Sequence, residues 1–540
     1  MPGAGHRGQI AARVVLGLLL AVSAVFFVLH FFHLTADFPN HSPWMDWAKY
    51  TDEGWYGDAA IRHYLTGHWY WSGDFNPAVA LPVWPAIELV VFKFTGVSPT
   101  AARALTLCVF GLTLVLFYVL LQSAARRLHP HTTPLAGAIC VLFLCLSPYV
   151  YAFERMAILE PLLIALTALA LLVASWMKPG QRRWVRIGLA AALGVLIPTI
   201  VLTKTTGLFL TPAVFYMVWA RACYRPREHL KLAMPPAALG LALWLIYFFG
   251  FVRPHYLADY QYLFSANAYT GLELQPLATI VLNAIGDGMW MGHVLYPAFF
   301  VVLGLALFWR PRLFADPLFP SLLLWAGGYF AFLVYHNNLQ PRYYLVIAVP
   351  ITAAVALALD NFREARGRVE TTILSTLVCA TVLAIVIPDA MLEVDFIRHP
   401  TYEFEAAAQA IKRIVDADPN HSHLILSISG SDLTLMTGLP SIDDDFGTLN
   451  LDERVANYHP GWYIAWNELD DDKADAITPL YKPVRVAAFP ALDDPDRNLL
   501  IVYRLDPKQP TAPVAAPKRH IPKALQTKMG QQPATTQLQH

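Results

Sequence analysis

Along the first 390 positions apolar residues come in blocks separated by short polar stretches, at 14–32, 102–122, 134–150, 156–176, 187–203, 206–220, 233–251, 294–309, 319–335, 343–359 and 371–388. A block of about 20 apolar residues crosses a bilayer as a helix, because a helix bonds every backbone polar group internally. The pattern predicts a membrane all-α chain, a polytopic helical bundle of about eleven spans. The stretch at 82–94 is shorter, carries Glu88 and Lys93, and is rich in Trp and Pro. Length alone does not assign it.

Charge does, because Lys and Arg accumulate in short cytoplasmic loops. If 82–94 lies in the interface as an amphipathic helix, Arg126 and Arg127, the groups at 178–186 and 221–231, Arg310 with Arg312, and Arg363 to Arg368 all fall on one side. That threading puts the N-terminus inside and makes 34–101 a large external loop. It also gathers Asp52, Glu53, Arg155, Glu160, Lys204 and the 336–342 stretch at the external face. Beyond 390 the pattern changes. Phe404, Ala408, Ile411 and Val415 stripe one face of a helix, and strand-like runs follow at 424–428, 484–489 and 499–503. Residues 1–390 therefore read as the membrane domain and 391–506 as a small extracytoplasmic α/β domain. Residues 507–540, rich in Pro, Gln, Thr and Lys, read as a disordered tail.

Composition agrees with the pattern: 56% of the 540 residues are hydrophobic and 14% charged, too apolar for a soluble chain of this size. Lys plus Arg (39) equals Asp plus Glu (39), so charge gives no sign of a nucleic-acid partner. The five cysteines lack metal-ligand spacing. The first block is longer than a signal-peptide core and has no small-residue cleavage site, so it reads as an uncleaved span.

Candidate chemistry concentrates in the external loop. Asp52 and Glu53 precede a helix predicted over 55–65; Thr51 or Asp52 could simply cap it, or one carboxylate could accept a proton from an attacking hydroxyl. Arg155 and Glu160 open a membrane helix, as snorkelling and helix-terminus residues or as the mouth of an anion site. Lys204 has the same two readings. Arg342, in an external loop with amides and aromatics, goes against the charge rule and suits phosphate, which arginine binds through charge-assisted hydrogen bonds. The acidic runs 443–445 and 470–472 lack the spaced ligands and glycine of a calcium loop.

In this order the pieces resemble the membrane glycosyltransferases of the GT-C fold, in the branch of the protein O-mannosyltransferases and the lipid A aminoarabinose transferase. The residues are Asp52 and Glu53, Tyr56, Gly67-His68-Trp69, Arg155 with Glu160, Thr203-Lys204, and Arg342-Tyr343 followed by Pro350. The resemblance covers about 14–350. Glu160 stands where the family usually has Asp, and Asn76-Pro77-Ala78 where many members have Lys-Pro-Pro. The resemblance implies transfer of a sugar from a polyprenyl-phosphate donor to an unidentified acceptor at the external face of the cell's inner (plasma) membrane, with inversion. Asp52, Glu53 and Glu160 would be the catalytic carboxylates. Arg155, Lys204 and Arg342 would hold the lipid phosphate, and Trp55, Tyr56, Trp69 and Tyr343 would line the substrate groove. No cofactor is required by this reading; a divalent metal at Asp52 and Glu160 is an open alternative. The competing readings are a transferase for an entire lipid-linked oligosaccharide or another phosphate-linked group using the same acidic site, a transporter or flippase, disfavoured by the near absence of charge inside spans and of broken inverted repeats, and a non-catalytic scaffold of envelope glycan assembly.

Overall fold

The computed structural model describes residues 3–38, 43–266, 276–337, 339–363, 368–492, 494 and 497–508. Nearly all of the predicted disordered tail lies outside the described residues. In chain order the helices are α1 (Gly3–Leu29), α2 (Asp52–Thr66), α3 (Val83–Thr95), α4 (Pro99–Leu128), α5 (Ala136–Cys145), α6 (Pro148–Glu154), α7 (Leu159–Trp176), α8 (Arg183–Thr203), α9 (Thr211–Arg221), α10 (Pro226–Tyr247), the short α11 (Arg253–His255), α12 (Leu257–Ala266), α13 (Leu277–Asp287), α14 (Leu295–Phe308), α15 (Leu318–His336), α16 (Pro341–Phe362) and α17 (Arg368–Arg398). Among the described residues eight helices are long and apolar enough to cross a bilayer, or ten if each of two bent pairs is one span. The remaining predicted block, 206–220, folds as a 3-10 turn, Thr205–Leu210, followed by α9, whose 11 residues are too few to count with the others. α3 has 13 residues and is not among the candidate spans.

α16 is the axis of the bundle. All 22 of its residues are buried, as a helix apolar on every face requires. α4, α5, α7, α14 and α15 surround it. Its first turn carries Arg342 and Tyr343, so packing of the whole core fixes where these side chains stand.

The C-terminal part contains α18 (Glu403–Asp416), α19 (Gly430–Thr437), α20 (Leu451–Tyr458) and α21 (Asp471–Ile477). Its five strands are β1 (Ile425–Leu426), β2 (Ser441–Ile442), β3 (Trp462–Trp466), β4 (Tyr481–Pro490) and β5 (Leu499–Pro507), in the order β2-β1-β3-β5-β4. β1 is parallel to both neighbours, whereas β3, β5 and β4 are antiparallel. The predicted stripe of Phe404, Ala408, Ile411 and Val415 is the buried face of α18. β3 was not anticipated: all five of its residues are buried, so the alternation that marks a half-exposed strand is absent.

This domain sits directly on α2. The Gly54 amide donates to Asp432 Oδ1 at 3.2 Å and the Trp55 indole to the Ile428 carbonyl at 3.2 Å. Arg62 joins Asp58 (2.9 Å) and Asp74 (2.7 Å), and Arg454 reaches Asp74 from α20 (3.2 Å). A Cβ on Gly54 would overlap the backbone of Ser431 and Asp432. Gly54→Ala should therefore push α2 away from α19, at roughly the 1–3 kcal/mol typical of overpacking. Faster limited proteolysis at the 391–430 segment would report it, and an unchanged digestion rate would show that this contact does not hold the domain down.

Candidate active site

The two adjacent carboxylates at the start of α2 have different surroundings. Asp52 occupies the first turn, where the helix dipole favours an anion. Thr51 is the N-cap residue but makes no side-chain cap; its hydroxyl donates instead to the Trp47 carbonyl (2.9 Å) and to Asp52 Oδ1 (3.1 Å). Asp52 Oδ2 lies 3.0 Å from Arg342 Nε without hydrogen-bond geometry, and among the described residues it has no hydrogen-bond partner. Burial pushes the Asp52 carboxyl above the usual carboxylate range, opposed by the Arg342 charge. One oxygen that accepts no hydrogen bond, with a raised proton affinity, is what a base requires.

Glu53 faces away from Asp52's surroundings. It takes two hydrogen bonds from Arg103, at 2.8 and 2.6 Å, and one from the Ala157 amide at 2.9 Å. Arg103 also donates to the carbonyls of Leu34 (2.7 Å) and Ala36 (2.6 Å). This knot ties α2, α4, the turn before α7 and the segment after α1 together.

The cations sit on the Asp52 side. Asp46 accepts from the Arg342 amide at 2.8 Å and from its guanidinium, while its other role is to cap the turn Trp47–Tyr50 through the Ala48 amide at 2.8 Å. Lys204 donates to the buried Glu160. The Tyr343 ring lies between these charges, its centroid 4.3 Å from Lys204 Nζ and 4.7 Å from the Arg342 guanidinium carbon. Asp46, Asp52 and Glu160 thus face Arg342 and Lys204.

Above them opens a cavity of about 490 Å³, to which Asp52, Lys204, Arg342 and Tyr343 contribute. Its walls are largely apolar and aromatic, including Trp55, Tyr56, Leu81, Phe209 and Phe332. Phe446, from the C-terminal domain, closes one side, its ring 5.1 Å from Trp55 and 5.3 Å from Phe75. The shape suits a ligand with an anionic head and an apolar body.

Of the residues singled out from sequence, Asp52, Lys204, Arg342, Trp55, Tyr56 and Tyr343 meet in this cavity. Three of the others stand apart from its lining: Glu160 lies behind Lys204, Glu53 belongs to the Arg103 knot, and Arg155 donates to the carbonyls of Phe32 (2.8 Å) and His33 (2.5 Å). Arg155 thereby holds the turn that follows α1. Trp69 is also elsewhere, 44% exposed and stacked on His63 with centroids 4.4 Å apart, because Gly67 ends α2 in the left-handed conformation and turns the chain outward. Asp46, Phe75 and Phe446 were missed. Asp46 had a signal, since Trp44-Met45-Asp46-Trp47 repeats the acid-among-aromatics character of the next stretch; Phe446 had none. Asp52 and Glu160 do not form a metal-ligand set. Among the described residues no three His, Cys, Asp or Glu side chains converge, and the two carboxylates are matched to different cations.

This is a multi-pass membrane protein with the GT-C fold. No protein-family model matches the chain, and no curated protein matches its sequence. ArnT from Cupriavidus metallidurans, solved bound to undecaprenyl phosphate, superposes with a TM-score of 0.60 at 16% identity, covering 90% of this chain and 98% of that one. The apo form of the same protein gives 0.57 at 15% identity, covering 91% and 98%. The archaeal oligosaccharyltransferase AglB from Archaeoglobus fulgidus, in complex with an inhibitory peptide and a dolichol-phosphate, gives 0.50 at 11% identity, covering 90% and 74%. At these identities the likeness establishes the fold.

Proposed function

We propose that the chain is a glycosyltransferase that moves a sugar from a polyprenyl-phosphate donor to an acceptor hydroxyl at the external face of the inner (plasma) membrane, with residues 391–506 outside. The observation that carries this reading is the joint placement of Asp52, Lys204 and Arg342 in one cavity with apolar walls. Asp52 takes the acceptor proton, the acceptor oxygen bonds to the anomeric carbon from the opposite side, and the carbon–phosphate-oxygen bond breaks with its electron pair. Lys204 and Arg342 compensate the charge that grows on the leaving polyprenyl phosphate. Both cations are already paired within the protein, so the donor phosphate competes with Asp46 and Glu160 for them. Glu160 and Asp46 therefore position cations. The fold shared with ArnT, which binds undecaprenyl phosphate, supports the donor class.

The direct test is incubation of the purified chain with labelled polyprenyl-phosphate pentoses and hexoses and envelope lipid or glycan acceptors. Transfer from one of them confirms the reading; donor carried across proteoliposomes with no covalent product defeats it. Two further outcomes are expected. Because a base must be ionised, kcat/KM should rise with pH through an apparent pKa above the usual carboxylate range, in the direction burial pushes Asp52. An acid limb at or below the ordinary aspartate value would place the base elsewhere. Phe446→Ala removes two aromatic contacts worth roughly 0.5–1.5 kcal/mol each and should raise KM about tenfold while moving kcat little. A loss confined to kcat would show that the C-terminal domain does not contact substrate.

A further inference from the structure

A second cavity, of about 460 Å³, is lined by Arg127, Lys178, Arg221, Trp176, Leu172 and Met217 among others. Its position follows from three shared elements. α7 starts beside Glu160, the partner of Lys204, and ends at Trp176. α9 follows Lys204 and Thr205 and ends at Arg221. α15 begins at Leu318, which lines the second cavity, and ends at His336, which lines the first. The two cavities therefore occupy opposite ends of the same helices. The 18 residues of α7 rise about 27 Å, close to the ~30 Å hydrocarbon thickness of a bilayer, which sets the second cavity at the other membrane face.

Basic residues at that end obey the positive-inside rule and would need no further account if they pointed to water. Arg221 does not. Its Nε is buried and has no hydrogen-bond partner among the described residues, an arrangement that costs free energy until an acceptor arrives. Arg127 is paired with Asp316, at 2.7 and 3.1 Å, whose carboxylate also acts on Arg221. Lys178 is exposed at the rim, and no ion pair to it or to Arg221 is found among the described residues. Leu120, Leu172, Met217 and Leu318 line it together with the polar Ser123, Ser175 and Gln181, and Trp176, 51% exposed, stands where an indole marks the interface. Three cations sharing the single carboxylate of Asp316, in a cavity of hydroxyl, amide and apolar side chains at the level of the headgroups, match a phosphate attached to acyl chains.

We propose that this cavity is a binding site for the phosphate of an anionic phospholipid headgroup, with Arg221 and Lys178 as its ligands, distinct from the donor site and independent of the transfer reaction. Native mass spectrometry of the full chain, delipidated in detergent, tests it with dioctanoyl phosphatidylglycerol, dioctanoyl phosphatidylcholine and inorganic phosphate as probes. The wild type should retain phosphatidylglycerol in preference to phosphatidylcholine. Arg221→Gln with Lys178→Gln should weaken that binding about tenfold or more, the loss expected for charge-assisted hydrogen bonds, and Arg221→Lys should keep most of it. Failure of inorganic phosphate to compete assigns the phosphate to a lipid; competition at equal concentration keeps the phosphate site and assigns it to a soluble anion. Equal retention of phosphatidylglycerol by wild type and double variant, equal retention of both lipids, or no retention overturns the proposal. If the double variant fails to fold, the exposed Lys178→Gln alone decides, with a loss of about threefold expected and no loss counting against the site.

Discussion

Asp52→Asn is expected to reduce sugar transfer by roughly 10²- to 10⁴-fold, the range a positioned general base contributes, while the protein keeps its melting temperature. The amide retains the size of the carboxylate and can still accept from Thr51, which donates at 3.1 Å. It cannot take a proton. The ion pair with Arg342 is lost, but Arg342 keeps both contacts to Asp46, one of them 2.8 Å from its backbone amide. Binding of the donor should therefore change far less than turnover. A variant that folds and transfers sugar at the wild-type rate removes Asp52 from the chemistry.

Glu53→Gln is expected to do the reverse. Both members of the Glu53–Arg103 pair are almost fully buried, with side chains 4% and 8% exposed. Removing one charge from such a pair leaves the other uncompensated in a low-dielectric environment, at a cost of about 3–5 kcal/mol. Thermal unfolding in detergent should show a large drop in midpoint, whereas the fraction that remains folded should keep most of its turnover. Replacing both partners by apolar residues, Glu53→Leu with Arg103→Met, should recover part of the stability, since the penalty arises from the orphaned charge. If Glu53→Gln melts like wild type and loses transfer as Asp52→Asn does, Glu53 is part of the reaction and the separation of roles argued above is wrong.

The neighbouring cations are harder to isolate by single substitution. Lys204 and Glu160 neutralise each other where Glu160 is fully buried, so loss of either disturbs the other. Lys204→Arg is the more informative change: it keeps the charge but replaces a compact ammonium with a planar fork, and altered donor affinity without loss of folding would place phosphate at this position.

The chain's apolar blocks determine the bundle by themselves, because a single continuous apolar block satisfies its own backbone polar groups in a bilayer only as a helix, and block length reports span length directly. The stripe of Phe404, Ala408, Ile411 and Val415 determines the buried face of α18 for the same kind of local reason, a 3.6-residue period. The acidic, aromatic start of α2 was legible as a place for chemistry. Which of its two carboxylates faces the cavity was not: consecutive helix residues point about 100° apart, so one of the pair had to turn toward Arg103 and the other toward Arg342, and only the packing of α4 and α16 around them decides which. The same holds for Arg155, which the end of α1 claims, and for Trp69, which the Gly67 turn sends into solvent. Asp46 meets Arg342 across 296 positions, and Phe446 closes the cavity from the C-terminal part of the chain. Contacts of that separation leave no periodicity in the chain, so they exist only once the bundle has packed.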